Sequence, residues 1–322
     1  MHRMKLVRLL AVLTGLVALI IPVSQQAAAD DPPPFLDWPS LLPGLVDEYQ
    51  PSSANDCVAG RARCVDATIR EMERRFRSLG PACDHNAVFA LAYLRTTQTY
   101  KWARDQSGFF AETPWVNHED AVFAKYYFEA YDNWAAGARG QVPQAWLIAF
   151  DAAAARQVNG SGDLLLGMNA HVNRDLPITL AAVGMATPDG QSRKPDHNKV
   201  NQFLNTVLQP LLAELVTRFD SSIVNIVTPY GVGYTGLFQT LAVWRESAWR
   251  NGELLASATT PEARALALQE IETYAATQAL AIKTANHYVP PVTTSTSRDA
   301  YCAERNGYPP PMSYAFGTPS AY

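Results

Sequence analysis

An all-α fold, a single compact array of about eight helices with a coil-rich, disulfide-tethered C-terminal tail, is what the sequence predicts. Apolar residues recur at helical spacing in segment after segment, and strand-type alternation is missing. No unit repeats along the chain, so a globular helical array rather than a solenoid is expected.

Residues 1–29 read as a signal peptide. MHRMKLVR carries three lasting positive charges and no acid, LLAVLTGLVALIIPV is a short apolar run, and AAA at 27–29 is a small-residue cleavage site. The run is too short and wrongly flanked for a membrane span. No cysteine follows it directly, so lipid attachment is not expected. Residues 30–56 form a Pro-rich lead-in, 57–288 the helical domain, and 289–322 a C-terminal coil tail.

Within the domain, VDATIREMERRFRSL (65–79) sets apolar residues against a charged face, and Gly80-Pro81 ends it. A second helix is expected from Asp84 through NAVFALAYLRTTQTYKWA, and a third after Asn117 as N-cap, with Asp120 in its first turn. QAWLIAFDAAAARQV and DLLLGMNAHVNRDL are apolar enough to be buried on most sides, and Pro177 is expected to stop the latter. HNKVNQFLNTVLQPLLAELVTRF contains Pro210, where a kink is expected. LFQTLAVWRESAWRNGELLAS and PEARALALQEIETYAATQALAIKTA complete the set, the latter opened by Thr260-Pro261 in favoured cap and first-turn positions. VNIVTPYGVGYTG is expected to hold a little extended structure.

Charge and cysteine usage bound the function. Removing Arg3, Lys5 and Arg8 from the 26 basic side chains leaves 23 against 30 acidic ones, a formal charge of −7. Such a chain does not suit nucleic-acid backbones. No later apolar run is long enough to cross a bilayer. An even count of four cysteines in an exported chain favours two disulfides over a metal site. Sequence leaves three pairings open; Cys57 with Cys64 and Cys83 with Cys302 is preferred, because the Pro-, Ser- and Thr-rich tail around Cys302 needs tying down.

The candidate site centres on NAHVNRDLP (169–177). His171 and Asp175 are one helical turn apart and share a face, as does Gly167 one turn earlier, where a missing side chain leaves room for approach. Three readings compete: a metal-ligand pair, a polar network that fixes core packing, and a site for a polar ligand. Asn173 and Arg174 add polarity that an apolar segment does not carry without use. Two DHNxV segments, Asp84–Val88 and Asp196–Val200, each stand at an expected helix start. The aspartates fit N-caps, whereas caps leave His85 and His197 unexplained; a first-turn histidine is held neutral by the helix dipole, the form that binds metal. Glu129 and Asp132 lie too far along the helix to share an ion with His118, and His287 fits a helix C-terminus. Glu246 and Arg250 form an ordinary one-turn ion pair. Tyr126, Tyr127, Tyr131, Trp134 and Trp146 at helical spacing fit a core better than a pocket. The familiar loops and signatures of hydrolases, kinases and dehydrogenases are missing.

NAHVNRDLP, DHNAVFALAYLR (84–95) and PDHNKVNQFL (195–204) resemble an actinobacterial family of exported or cytosolic proteins defined by a domain of unknown function, number 5995, over about Cys57 to about Ala256. The resemblance implies a helical fold and no particular activity. The layout is also similar to that of zinc-dependent phospholipase C and related single-strand nucleases, whose ligands include an HxxxD pair followed by proline, as His171, Asp175 and Pro177 stand here. Those enzymes use an N-terminal tryptophan as ligand, where cleavage here leaves Asp30. They also use a second histidine with an acid four residues on, where His85, His118, His197 and His287 are followed by Phe89, Val122, Asn201 and Pro291. One metal or none is therefore what these residues permit.

The leading expectation is an exported metal-dependent hydrolase. His85, His171, Asp175 and His197 would hold one zinc-like divalent ion that lowers the pKa of a bound water. Asp84 or Asp196 would act as general base or support a ligand, and Asn173 and Arg174 would bind a small-molecule, polar or lipid-like substrate. The alternative is a non-catalytic exported helical protein that binds a small apolar or amphipathic ligand, with these polar groups as an internal network. A metal-free acid–base enzyme is the third reading. Nucleic-acid partners and an integral membrane span are not expected.

Overall fold

The computed structural model describes residues 45–226 and 232–305. The expected signal peptide, most of the expected Pro-rich lead-in and the end of the expected tail lie outside the described residues. The chain runs as α1 (Ala62–Leu79), α2 (Ala87–Arg104), α3 (Thr113–Ala135), α4 (Gln144–Ala154), α5 (Gly160–Asn169), α6 (Leu176–Val183), α7 (Lys194–Arg218), α8 (Val232–Ser257), α9 (Pro261–Asn286) and α10 (Thr296–Arg305). A widened π turn, Ala170–Asp175, joins α5 to α6. Among the described residues, extended pairing is confined to two isolated bridges, Val158 with His287 and Ala186 with Ser192. No described helix is long and apolar enough to cross a membrane.

Composition decides which helices are central. The first half of α2, AVFALAYLR, buries every residue from Ala87 to Arg95, and α5 buries most of GSGDLLLGMN. A helix apolar all round belongs inside. α9 buries only Ala267, Ile271, Ala275 and Ala279, a four-residue spacing that makes one narrow stripe of mostly small side chains, and it lies on α4 and α5. Two bidentate arginines clamp the array: Arg75 of α1 donates to both oxygens of Asp132 on α3 at 2.8 Å, and Arg95 of α2 donates to Glu214 on α7 at 2.7 and 2.8 Å. The disulfides are Cys57–Cys64 and Cys83–Cys302, and the second ties α10 to the turn between α1 and α2.

Four local expectations are corrected. α3 begins at Thr113, before Asn117, because its first backbone groups are capped from a distance: the Asp196 carboxylate accepts from Ala111 N (2.8 Å) and Glu112 N (2.7 Å), and Pro114 sits in the first turn. Asn117 therefore lies inside the helix, where its amide donates to Gly60 O at 2.8 Å. Pro177 does not stop its helix. The π turn ends at Asp175, so the proline falls in the first turn of α6, where its missing N–H and its ring are tolerated. Of the expected extended stretch, 224–236, residues 224–226 fall in a 3-10 helix, Ser221–Ile226, residues 227–231 lie outside the described residues, and α8 starts at Val232. The tail is not all coil, since α10 forms around Cys302 and buries it with Arg298.

Candidate functional site

A cavity lies where α2, α3, α5, the π turn, α7 and α8 meet. It offers about 130 Å³ to the centres of water-sized molecules, against roughly 10–15 Å³ needed on that measure for one water. One wall is aliphatic and aromatic: Val200, Phe203, Leu204, Val207, Leu208 and Leu211 from α7, and Leu241 from α8. From α2, α3 and the π turn come Tyr93, Glu119, Asp120, Phe123 and His171, and Arg245 of α8 also reaches the space. Tyr93 Oη, Glu119 Oε2, Asp120 Oδ2 and His171 Nε2 are buried and hydrogen-bond to no described residue. A buried polar atom left open costs about 1–3 kcal/mol, so four such atoms on one wall are costly to the fold.

His171 is held from three sides. Its Nδ1 stands 3.1 Å from Asp175 Oδ2, its ring stacks on Phe123 with centroids 3.4 Å apart, and Tyr93 packs edge-on at 4.3 Å. Asp175 is itself fixed, accepting from Trp146 Nε1 at 2.9 Å and from Arg174 Nη1 at 2.9 Å. A carboxylate only accepts, so His171 Nδ1 carries the proton and Nε2 keeps a lone pair with no partner among the described residues. The π turn makes this possible by placing His171 and Asp175 within one widened turn. The room expected at Gly167, one turn earlier, is taken up by Phe89: an added Cβ would stand 2.3 Å from its Cγ, and Phe89 also lines the cavity.

Burial sets the charge of this wall. It lowers the His171 pKa, with Asp175 only partly offsetting it, and the imidazole is neutral near pH 7. It raises Glu119 to about 7, against the pull of Arg245, and Asp120 to about 8, with Glu119 adding to the rise. It lowers Arg245 to about 10, with Glu119 opposing, and raises Tyr93 well above its ordinary value, so the phenol stays a donor.

The remaining expected site residues are distributed over other polar groups. Among the eight, only His171 lines the cavity. His85 faces Asp163 Oδ2 at 2.8 Å and Asp299 Oδ1 at 3.2 Å. Burial opposes its protonation, but the two carboxylates outweigh that and raise its pKa. His197 is bonded to Arg245, through Nε2 to the backbone oxygen at 3.2 Å and through Nδ1 to the guanidinium at 3.2 Å; burial and then the Arg245 charge keep it neutral. Asp84 Oδ1 accepts from Asn86 N at 2.7 Å, a turn that starts α2, and Asp196 caps α3. Arg174 joins Asp175 to Glu272 of α9 at 2.7 Å, and Asn173 donates to Asn169 at 2.9 Å. Among the described residues no three His, Cys, Asp or Glu side chains are grouped to hold a metal ion. The expected four-ligand set of His85, His171, Asp175 and His197 is thus not assembled, because the partners of His85 and His197 draw them elsewhere.

Tyr93, Glu119, Asp120 and Arg245 are the cavity groups that the sequence reading did not select. A signal was present: Glu119 and Asp120 sit between Trp115-Val116 and Ala121-Val122, an apolar surrounding that gives two acids no solvated face.

A family model described as "Family of unknown function (DUF5995)" matches residues 65–285. No curated protein and no solved structure matches the chain. With more than half of its length matched, the chain belongs to that family.

Proposed function

We propose that this member of the DUF5995 family is an exported protein that binds a small, largely apolar or amphipathic molecule in its central cavity. The observation that supports it most is the division of the cavity into an apolar wall on α7 and a wall with four open polar atoms on α2, α3 and the π turn. Binding sites share this build: mostly apolar lining with a few convergent polar groups that fix orientation. Each methylene buried on the apolar wall contributes about 0.8 kcal/mol, and the polar wall selects a neutral head group that can exchange hydrogen bonds. Export is supported by the charged-apolar-small order of residues 1–29 and by two disulfides in the folded domain.

The test is thermal unfolding with a series of neutral alcohols from hexanol to decanol. Saturable binding is expected, with about 2.7 kcal/mol of stabilisation at a hundred times Kd, and at a fixed alcohol concentration the stabilisation should grow with chain length until the cavity is full. Val200→Trp, which fills the space from α7, should abolish it. If no alcohol of the series stabilises the protein, the binding reading fails. Elemental analysis of protein purified without added ions decides the metal-dependent hydrolase reading separately: one zinc-like ion per chain, lost in His171→Ala, would put that reading in its place.

A further inference from the structure

We infer that His171 is a general base directed into the cavity, that Asp175 positions it, and that the Tyr93 hydroxyl receives charge on a carbonyl oxygen, so that the cavity exchanges a proton on the carbon next to the carbonyl of a neutral apolar ketone. The inference rests on the binding reading, since the ketone must first enter the cavity.

The geometry distinguishes His171 from every other buried histidine. His85 faces two carboxylates, His197 is bonded on both nitrogens to Arg245, and the His118 nitrogens stand 2.8 Å from Cys57 O and Asp47 O. Each of their ring nitrogens stands within 3.2 Å of a polar group of the fold, although His85 Nδ1 meets Asp163 at ion-pair distance without an aligned hydrogen bond. His171 uses Nδ1 alone; the residue lines the cavity, and its Nε2 is buried with no hydrogen-bond partner among the described residues. Asp175 is braced by Trp146 and Arg174, more restraint than a packing pair needs and what a base requires to keep one tautomer and one orientation. Stacking on Phe123 fixes the ring plane. Tyr93, packed against the same imidazole, carries an O–H with no partner among the described residues and lines the same cavity.

The step balances without a cofactor. The Nε2 lone pair takes the proton from the carbon; the C–H electron pair becomes the carbon–carbon double bond of the enolate, and the carbonyl pair moves onto oxygen, where Tyr93 O–H donates. The Nε2 proton exchanges with solvent, and the proton or deuteron then on Nε2 is delivered to the same carbon or to a conjugated one. In heavy water the net change is deuterium for hydrogen on that carbon, with no oxidant or reductant consumed. The charged and titratable groups around His171 are Asp175 and Arg174 on its own segment, Tyr93 on α2, Glu119, Asp120 and Tyr127 on α3, and Arg245 on α8. The base form predominates above the lowered His171 pKa, so exchange should rise with pH through a value below the ordinary 6.5 and then level off.

The probe is 2-tetralone, a neutral aromatic ketone, in heavy water, with exchange followed by proton NMR and its binding followed by thermal shift on the same samples. Wild-type protein should exceed His171→Ala and His171→Gln by about 100-fold, and Tyr93→Phe should lose a factor of about 100. Asp175→Asn should lower exchange and, read by 15N NMR, move the His171 proton from Nδ1 to Nε2, a change that a merely structural role for Asp175 does not require. If 2-tetralone stabilises the wild type yet exchanges no faster than in both His171 variants, the inference is overturned and the binding reading stands. If 2-tetralone and the alcohols all fail to bind, both fall together.

Discussion

Two buried histidine–aspartate groups stand among the described residues, and they are built to opposite plans. His85, at the turn between α1 and α2, has a carboxylate at each nitrogen, Asp163 from α5 and Asp299 from α10, and the Cys83–Cys302 disulfide closes the same junction. His171, in the π turn, has one carboxylate and leaves its second nitrogen to a cavity. Around His85 two carboxylates tie three distant segments together at ion-pair distance, although His85 Nδ1 and Asp163 make no aligned hydrogen bond. Around His171 they are braced from behind and left open in front. A group whose partners are complete stabilises a fold, and one held rigid with an open face offers something to a ligand.

The largest effect should separate the two regions through the disulfide. Replacing Cys83 and Cys302 by Ser frees a link that spans 219 residues and should cost on the order of 4 kcal/mol. In denaturant titration, occupancy of the cavity by 1-decanol should still be detectable below the new transition. Loss of alcohol binding at temperatures where the helices remain intact would show that the two regions are one unit.

Next come the histidines themselves. His85→Ala leaves Asp163 without its cation in a buried site and should cost about 3 kcal/mol, whereas His171→Ala, with Asp175 still bonded to Trp146 and Arg174, should cost about 1 kcal/mol. Equal costs would erase the contrast. Their pH dependences have opposite signs. The His85 pKa is raised, so its contribution is full below the ordinary value of about 6.5 and is lost as pH rises through the folded value. The His171 pKa is lowered, so its contribution is full above that ordinary value and is lost as pH falls through the folded one. Asp299, pushed up by burial but held down at about 2 by His85, adds stability that is lost only in strong acid.

A smaller effect sharpens the cavity side. Glu119 and Asp120 have raised pKa values, so their contribution is full below the ordinary carboxyl range and lost as pH rises through about 7 and about 8. Glu119→Gln and Asp120→Asn should each stabilise the protein above pH 8 by on the order of 2 kcal/mol, and change little below pH 5. Melting temperature against pH for the two variants checks this, and unchanged alkaline stability would mean that the carboxyls are solvated.

Much of the fold is legible in the sequence because it is written locally. The apolar spacing of VDATIREMERRFRSL, the Thr260-Pro261 start whose hydroxyl caps Ala263 N at 3.1 Å, and the Glu246–Arg250 pair all reappear in the structure, as do both disulfides. What is not legible depends on partners far along the chain. No window around Asn117 shows that Asp196 caps α3, and no window around Pro177 shows that a π turn admits it. In the candidate site, NAHVNRDLP and the two DHNxV segments drew attention to buried polarity that is really there. Convergence did not follow from it, because His85 and His197 meet Asp163, Asp299 and Arg245, none of which a local motif connects to them. Trp146 was weighed as core and is core, yet its indole N–H also orients Asp175.

The most direct test of the contrast is 15N NMR of the histidine side chains during titration with 1-decanol at pH 7. His171 should start as the Nδ1–H tautomer with an unprotonated Nε2, and Nε2 should shift as the alcohol hydroxyl donates to it, while the His85 signals stay in place. A titration that leaves His171 unmoved while decanol binds, or that moves His85 instead, would contradict the division of labour between the two sites.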